Sequence, residues 1–241
     1  MCRHLAYLGP PAVLSELLFD APHALARQAE CPRLQTSGTS NPDGWGVAWY
    51  DGHDRAPERY RTVTPMWADP GFTVRTHDLR SGAFLAAARL ASPGASLVDT
   101  GNAPFVSGQW AFSLNGIVHG FPDGVGDALR ARLRADRVAT VVGDADTEVL
   151  FALVLQLLDD GVEPEHALAR VVHDVLAMTT GRLNLLLTDG TAVYGTRVGN
   201  SLVRRGPVLV SEPVDDAPGW TEVPDHSLVA MTCDGTRTSA L

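Results

Sequence analysis

Apolar positions follow two different spacings along the chain. In three segments they recur every three or four residues, which is the period of a helix with one buried face. These segments predict helices over residues 127–135, 146–158 and 164–178. Short apolar runs bounded by turn residues are typical of buried strands instead. They predict strands over residues 2–8, 46–50, 84–90, 110–118, 183–189, 192–196, 208–211 and 228–232.

Two further predicted segments are indicated by proline, glycine and small polar residues rather than by the spacing of apolar residues. An apolar stretch follows Pro10-Pro11, and proline suits the first turn of a helix, so the pattern predicts a helix over residues 13–19. Residues 31–43 are rich in Gly, Ser, Thr, Asn and Pro, which predicts a loop.

The order of these elements, strands followed by helices and then strands again, predicts an α+β fold. Runs such as Leu185-Leu186-Leu187 indicate strands that are covered on both faces. Hairpin-like connections favour antiparallel sheet covered by helices, although the pattern leaves one sheet or two open. No repeat or linker divides the chain, so we expect a single domain over residues 2–241, with Met1 removed.

Composition excludes several kinds of chemistry. The formal charge is −9, from 19 basic and 28 acidic residues, and every basic residue is arginine. Without lysine there is no Schiff-base amine, no pyridoxal-phosphate anchor and no phosphate-loop lysine. The acidic balance disfavours nucleic acid as a partner, because binding phosphates needs a basic excess. The histidines and cysteines show no metal-ligand spacing, so we expect no metal.

The sequence predicts neither a membrane span nor a secretion signal. Its most apolar stretch, residues 149–158, is interrupted by Gln156 and is shorter than the roughly 20 residues of a membrane helix. The apolar start is too short for a signal peptide and soon reaches Glu16 and Asp20. We therefore expect a cytoplasmic protein with reduced thiols.

Cys2 is the strongest candidate for a nucleophile. A small second residue normally allows removal of the initiator methionine, which would make Cys2 the N-terminal residue. Its free α-amino group would have a pKa of about 7.7–8.0 in a model peptide. Such an amine can accept the thiol proton and later return it to a leaving group. The alternative is a cysteine that only packs at the start of a strand.

Three other positions each allow a structural and a functional interpretation. Asn115-Gly116 is either a type I′ hairpin turn or an oxyanion hole made from the Asn amide and the Gly N–H. Arg89 either snorkels at a strand end or forks onto a carboxylate. Asp146 either caps a helix or pairs with a substrate ammonium group.

Two weaker candidates lie near predicted strands. Residues 43–46 read Asp-Gly-Trp-Gly, and such glycines permit a tight turn or a close approach of the backbone to a ligand. His4 lies two residues from Cys2, so strand alternation places both side chains on one face. His4 is therefore a candidate to line a pocket with Cys2.

Together these features resemble the class II glutamine amidotransferases, a branch of the N-terminal nucleophile hydrolases. The family implies an αββα sandwich, in which two antiparallel sheets lie between helical layers. The motifs that carry the resemblance follow one another in this order: Met-Cys at the start, Asn41-Pro-Asp-Gly-Trp-Gly46, Arg89-Leu-Ala-Ser-Pro-Gly94, Asn115-Gly-Ile-Val118 and Asp146-Thr-Glu148.

The resemblance also implies roles for the matching residues. Cys2 would be the nucleophile with its amine as base, and no metal or organic cofactor would be needed. The oxyanion hole would be formed by Asn115 and Gly116. The glutamyl end of a substrate would be bound by three residues: Arg89 at the α-carboxylate, Asp146 at the α-ammonium, and Ser92 as a hydroxyl donor in place of the family's usual Thr.

The N-terminal and C-terminal segments narrow the resemblance. The opening Met-Cys-Arg-His-Leu-Ala-Tyr-Leu-Gly and the tail segments 211–220 and 223–226 are similar to the hydrolases of ergothioneine biosynthesis. These enzymes remove the γ-glutamyl group from γ-glutamyl-hercynylcysteine sulfoxide, a small molecule. A chain of 241 residues also lacks the large acceptor domain of synthase-fused amidotransferases, which implies that no synthase partner is obligatory. The alternatives are a glutaminase subunit that supplies ammonia to a separate synthase, and a non-catalytic module that binds γ-glutamyl groups.

A substrate of this kind carries a trimethylammonium group, which aromatic rings bind through cation–π contacts. Each tryptophan is a candidate for such a cage, and each is also suited to core packing. The candidates are Trp45, Trp49, Trp67, Trp110 and Trp220.

Overall fold

A computed structural model describes residues 2–52, 56–92 and 95–241. Met1, and Pro93 and Gly94 of the Arg89 motif, lie outside these ranges. The strands are β1 (Arg3–Val13), β2 (Trp45–Tyr50), β3 (Glu58–Thr62), β4 (Arg80–Ala88), β5 (Phe105–Ser107), β6 (Trp110–Val118), β7 (Gly181–Thr188), β8 (Val193–Arg197), β9 (Val203–Arg205), β10 (Val208–Val210), β11 (Thr221–Glu222), β12 (Ser227–Thr232) and β13 (Gly235–Ala240). The α-helices are α1 (Leu25–Glu30), α2 (Pro70–Thr76), α3 (Val125–Arg130), α4 (Ala135–Val138), α5 (Asp146–Asp159) and α6 (Pro164–Leu176).

The described strands form two antiparallel sheets, which decides between the alternatives that the pattern left open. A seven-stranded sheet has the order β11-β9-β10-β1-β4-β2-β3, and a six-stranded sheet has the order β13-β12-β8-β7-β6-β5. The strand that begins next to Cys2 therefore lies in the middle of one sheet, and the strand that carries Asn115 lies in the other.

Three apolar clusters show how the layers pack. One joins α5 and α6 to the outer face of the six-stranded sheet, where Phe112 of β6 stacks on Phe151 of α5. A second surrounds Trp45 on the outer face of the seven-stranded sheet, under α1 and α2. The third lies between the sheets and includes Leu85 and Leu186. The layer order of helix, sheet, sheet and helix confirms the predicted αββα sandwich.

The N-terminal strand extends further than the predicted range 2–8 and ends at Val13. Pro10 and Pro11 lie inside β1, in the region where its register against β4 shifts. Proline is tolerated at such an irregularity, because a regular ladder would require the N–H that proline lacks. Residues 14–20 are helical and include a π-helix over Glu16–Asp20, so the helix predicted over residues 13–19 is confirmed apart from its first residue. The proline pair itself lies at an irregularity of the strand, and the helix begins three residues after Pro11.

The other predicted elements differ from the structure mainly at their ends. β6 has the predicted bounds, and α5 ends one residue later than predicted. The predicted helix over residues 127–135 is instead divided into α3 and α4, with turns between them. The predicted loop over residues 31–43 contains neither helix nor strand. Within the described ranges, no helix combines the length and the apolar character that crossing a membrane requires.

Candidate active site

A cavity of about 610 Å³ opens at one end of the sandwich, where strands of both sheets meet the start of α5. Cavities of this size are typical of small-molecule sites. Segments that are far apart in the chain contribute to its wall. The predicted site residues that line it are Cys2, Arg89, Ser92, Gly116 and Asp146.

Strand pairing places Cys2 beside Arg89. Arg3 is opposite Ala88 in the ladder between β1 and β4, so the residues just beyond that pair are neighbours. The Cys2 thiol makes one weak hydrogen bond, to the carbonyl oxygen of Leu90 at an S···O distance of 3.9 Å. The thiol is free and half-buried at the cavity wall. This environment leaves the sulfur accessible from the cavity.

Arg89 and Ser92 follow β4 along the cavity wall. The backbone N–H of Arg89 donates to the Gly44 carbonyl at 2.8 Å, which holds the main chain at this point. Its Nη1 donates to the carbonyl of Ser96 at 3.1 Å. Among the described residues, the guanidinium has no other hydrogen-bond acceptor. Its remaining N–H groups are therefore available for a carboxylate in the cavity.

Asp146 is the first residue of α5, and its carboxylate joins that helix to the end of β6. Its Oδ2 accepts from the N–H of Val118 at 3.1 Å, and its Oδ1 accepts from the N–H of Thr147 at 2.8 Å. Burial raises the pKa of the Asp146 carboxyl, and these hydrogen bonds and the charge of Arg89 oppose that rise. The N-cap position itself is occupied by Ala145.

Asn115 and Gly116 lie inside β6, so the hairpin-turn interpretation is wrong. Gly116 lines the cavity, and a Cβ at this position would lie 1.7 Å from the carbonyl oxygen of Arg182 on β7. Asn115 is fully buried and is not among the lining residues. Its Nδ2 donates to Ser211 Oγ at 3.2 Å, and its Oδ1 accepts from Asn200 Nδ2 at 3.1 Å.

His4 packs between the sheets, so the hypothesis that it lines the pocket is wrong. Its ring is completely buried, and its Nδ1 lies 3.0 Å from Ser113 Oγ on β6 of the opposite sheet. Burial lowers the pKa of His4 to about 3, and the charge of Arg3 contributes to this shift. The ring is therefore neutral at ordinary pH.

The residues of the Asp-Gly-Trp-Gly motif contact backbone of neighbouring segments and do not line the cavity. Gly44 has a φ of +110°, and a Cβ there would lie 2.3 Å from the carbonyl oxygen of Thr62. Only glycine adopts this conformation readily. The Asp43 carboxylate accepts from the N–H of Ala91 at 2.8 Å. The motif thus fixes the segment that follows Arg89.

The described residues that line the cavity include no tryptophan, and their aromatic members are Phe105 and Phe121. Two of the tryptophan candidates have other roles in the fold. Trp45 is fully buried in the core. The ring of Trp220 lies under the guanidinium of Arg205, with 4.4 Å between the guanidinium carbon and the ring centroid. The tryptophans considered as candidates for a cation cage therefore do not line this cavity.

Carboxylates give the outer part of the cavity an acidic character. Asp123, Asp127 and Asp144 line it together with Arg130, whose Nη1 lies 3.8 Å from Asp127. In the part of the chain that the structure describes, no group of three His, Cys, Asp or Glu side chains is placed to hold a metal ion.

Comparison with known proteins identifies the family. The model of the class-II glutamine amidotransferases matches residues 16–217. The chain belongs to the class II glutamine amidotransferases. A relative from Mycobacterium tuberculosis (strain CDC 1551 / Oshkosh), named gamma-glutamyl-hercynylcysteine sulfoxide hydrolase, is 37% identical and is matched over 100% of this chain and 97% of the relative. A relative of the same name from Mycolicibacterium smegmatis is also 37% identical, over 95% of each chain.

Solved structures of other amidotransferases share the fold. A glutamine aminotransferase class-II domain protein from Silicibacter pomeroyi superposes with a TM-score of 0.72 at 27% identity, over 99% of both chains. The glutamine phosphoribosylpyrophosphate amidotransferase of Bacillus subtilis superposes with a TM-score of 0.66 at 15% identity. That match covers 100% of this chain and 49% of the Bacillus protein, and at this identity it shows the fold alone.

A buried ion pair joins β1 to the segment that follows β10 in this class II amidotransferase. Arg3 Nη1 and Glu212 Oε1 are 2.9 Å apart, and both side chains are fully buried. Glu212 also accepts the backbone N–H groups of Arg33 at 2.8 Å and Leu34 at 2.9 Å. Desolvation lowers the pKa of Arg3, and the charge of Glu212 opposes that shift. Sequence reasoning missed this pair, because no local pattern relates residues 209 positions apart.

We expect Glu212→Ala to lower the free energy of unfolding by about 3–5 kcal/mol, because it leaves the Arg3 guanidinium buried without its counter-ion. Urea denaturation followed by circular dichroism measures this change. The matched control is Glu222→Ala, since Glu222 is 66% exposed and pairs with Arg197. We expect the control to change stability by less than about 1 kcal/mol. Equal effects of the two variants would contradict the assignment.

Proposed function

We propose that this amidotransferase-family protein is an N-terminal cysteine hydrolase that cleaves γ-glutamyl-hercynylcysteine sulfoxide to glutamate and hercynylcysteine sulfoxide. One observation carries the proposal: a single cavity is lined by the thiol of Cys2, by a cation, Arg89, and by an anion, Asp146. The relatives that carry this enzyme name match essentially the whole chain at 37% identity, which supports the same substrate.

The proposed reaction uses only groups of the protein. After Met1 is removed, the α-amino group of Cys2 accepts the thiol proton, and the sulfur attacks the γ-glutamyl carbonyl carbon. The Gly116 N–H and the Asn115 amide stabilise the oxyanion. The ammonium then protonates the departing nitrogen as the C–N bond breaks, leaving a thioester. Water attacks the thioester, and its proton passes through the amine to the sulfur as glutamate leaves.

The α-carbon of a γ-glutamyl group carries both an anionic and a cationic group, which explains why the site needs charges of both signs. The α-carboxylate is an anion, and the planar guanidinium of Arg89 can donate to both of its oxygens. The α-ammonium is a cation, for which Asp146 provides the negative partner. Ser92 is exposed on the same wall and supplies a hydroxyl. We propose that these three residues bind the glutamyl end and thereby orient its side-chain carbonyl towards Cys2.

The outer part of the cavity suits a cationic leaving group. The carboxylates of Asp123, Asp127 and Asp144 provide negative charge, and Phe121 provides an aromatic ring. A trimethylammonium group is a weakly hydrated cation that favours such surroundings. We propose that the hercynyl part of the substrate lies here, while the γ-glutamyl part lies between Arg89 and Asp146.

The proposal has further consequences for location and partners. We expect the protein to act in the cytoplasm, on a small molecule, without nucleic acid and without an obligatory synthase. We expect no metal or organic cofactor, since nucleophile, base and oxyanion donors all belong to the chain. A glutaminase subunit would instead need a synthase to receive its ammonia.

Glutamate release tests the proposed substrate. With the purified protein alone, we expect kcat/KM for the sulfoxide conjugate to exceed that for free glutamine by about 100-fold. The reason is that contacts with the leaving group contribute binding energy to the transition state. A γ-glutamyl amide without the trimethylammonium group serves as the control and should fall between the two. Faster hydrolysis of glutamine would favour the glutaminase subunit, and binding without hydrolysis would favour the non-catalytic module.

A further inference from the structure

A buried serine connects the nucleophile strand to the proposed oxyanion donor. Ser211 follows β10 and is fully buried. Its Oγ accepts from the N–H of His4 at 3.0 Å and donates to the carbonyl oxygen of the same residue at 3.2 Å. It also accepts from Nδ2 of Asn115 at 3.2 Å. A hydroxyl has one donor and two acceptor sites, so all three are in use.

This serine bridges the two sheets through Asn115, which is the chain neighbour of the cavity-lining Gly116. Its backbone N–H donates to the His4 carbonyl at 3.0 Å, which continues the pairing of β10 with β1. Asn115 lies on β6 in the other sheet. The Ser211 hydroxyl therefore connects the Asn115 amide to the backbone of His4, which lies in β1, two residues after Cys2.

A second residue determines which way the Asn115 amide faces. The Nδ2 of Asn200 donates to the backbone carbonyl of Asn115 at 2.9 Å and to its Oδ1 at 3.1 Å. Because a backbone carbonyl only accepts, the NH₂ group of Asn200 must face it, and Oδ1 of Asn115 must lie on that side. Nδ2 of Asn115 consequently faces Ser211.

One N–H of Asn115 remains uncommitted in this arrangement. Its Nδ2 carries two hydrogens, and Ser211 is its single acceptor among the described residues. A buried N–H without a partner costs free energy, and an oxyanion formed next to it would satisfy that group. The hydrogen bond to Ser211 fixes the amide plane, which in turn fixes the direction of the second N–H.

We propose that Ser211 is a positioning residue, which acts through Asn115 by holding its amide in register with the nucleophile strand. The inference rests on the proposed function, because a positioned oxyanion donor has an effect only if an acyl transfer takes place. It extends that function to a residue that touches neither the cavity nor the reacting atoms.

A double-mutant cycle tests this role. We expect Ser211→Ala to lower kcat for the γ-glutamyl conjugate by about tenfold with KM changed by less than about twofold, since a misdirected donor weakens transition-state binding specifically. In the Asn115→Ala background, the same substitution should lower kcat by less than about twofold. Ser211→Cys has nearly the same shape but a weak acceptor, and it repeats the test if the alanine variant folds poorly.

The matched control is Ser113→Ala. Ser113 is equally buried, but its hydroxyl hydrogen-bonds the His4 ring, whereas that of Ser211 hydrogen-bonds the Asn115 amide. We expect it to change kcat by less than about twofold at a comparable change in thermal stability. Equal losses from Ser211→Ala in both backgrounds, or a loss confined to KM, would overturn the positioning role alone. A wild-type protein that cleaves no γ-glutamyl amide would overturn the proposed function and this inference with it.

Discussion

Replacing Cys2 with alanine is expected to lower hydrolysis of the γ-glutamyl conjugate by at least about 10⁴-fold, because no thioester can form. The variant should remain folded, since the thiol is half-buried and makes one weak hydrogen bond, 3.9 Å long. Glutamate release under saturating substrate measures the first effect. Thermal unfolding followed by circular dichroism measures the second.

Two other cysteines provide matched controls for this variant. Cys31 and Cys233 are free, exposed thiols, and neither lines the cavity. Alanine at either position should leave kcat and KM within about twofold of the wild-type values, as is usual for surface substitutions. Substantial turnover by a pure Cys2→Ala protein would exclude the covalent mechanism, and a large loss in either control would assign the activity to a different thiol.

Retention of Met1 is expected to cost about 10²–10⁴-fold in kcat, which is the usual contribution of a general base. With Met1 in place the nitrogen of Cys2 is an amide, which accepts no proton at neutral pH. A chain extended by a removable peptide allows the comparison within one preparation, before and after a protease exposes Cys2. Intact mass establishes the state of the N-terminus at each assay.

The absence of lysine makes the same base chemically addressable. In a chain with no lysine, the α-amino group is the single primary amine. An amine-specific reagent should therefore add once per mature chain and inactivate it in parallel with labelling. The extended chain is the control, since its amine lies away from Cys2 and labelling should not change its residual rate. Full activity in a preparation that still carries Met1 would refute the amine as base.

Much of the fold follows from local pattern, but not where packing overrides it. β6 and α5 are long and strongly apolar, and the structure places them within one residue of the predicted bounds. The segment at Pro10-Pro11 has a helix-start pattern, yet pairing with β4 holds it in a strand. β13 is exposed along its whole length, so no alternation of apolar and polar residues indicated it.

The residues of the candidate site likewise include some that sequence motifs indicate and others that only the tertiary structure reveals. Cys2, Arg89 and Asp146 stand in sequence motifs, and the family resemblance assigned them roles that the shared cavity is consistent with. Ser211, Asn200 and the Arg3–Glu212 pair have no such signal. Their partners lie between 85 and 209 positions away in the chain, and only the pairing of strands brings them together.

The sequence by itself indicated the α+β class and the family, and the family resemblance in turn implied the αββα layers and the residues proposed for acyl transfer. Those properties depend on residue types at local spacings, which hydrophobic periodicity and short motifs record directly. The tertiary structure alone decided that His4 lies outside the cavity, that no tryptophan lines it, and that Ser211 holds the Asn115 amide. These facts depend on which strands pair and on which face each side chain is buried. Such contacts are made between distant segments, where every buried polar group must find a partner that the local sequence does not specify.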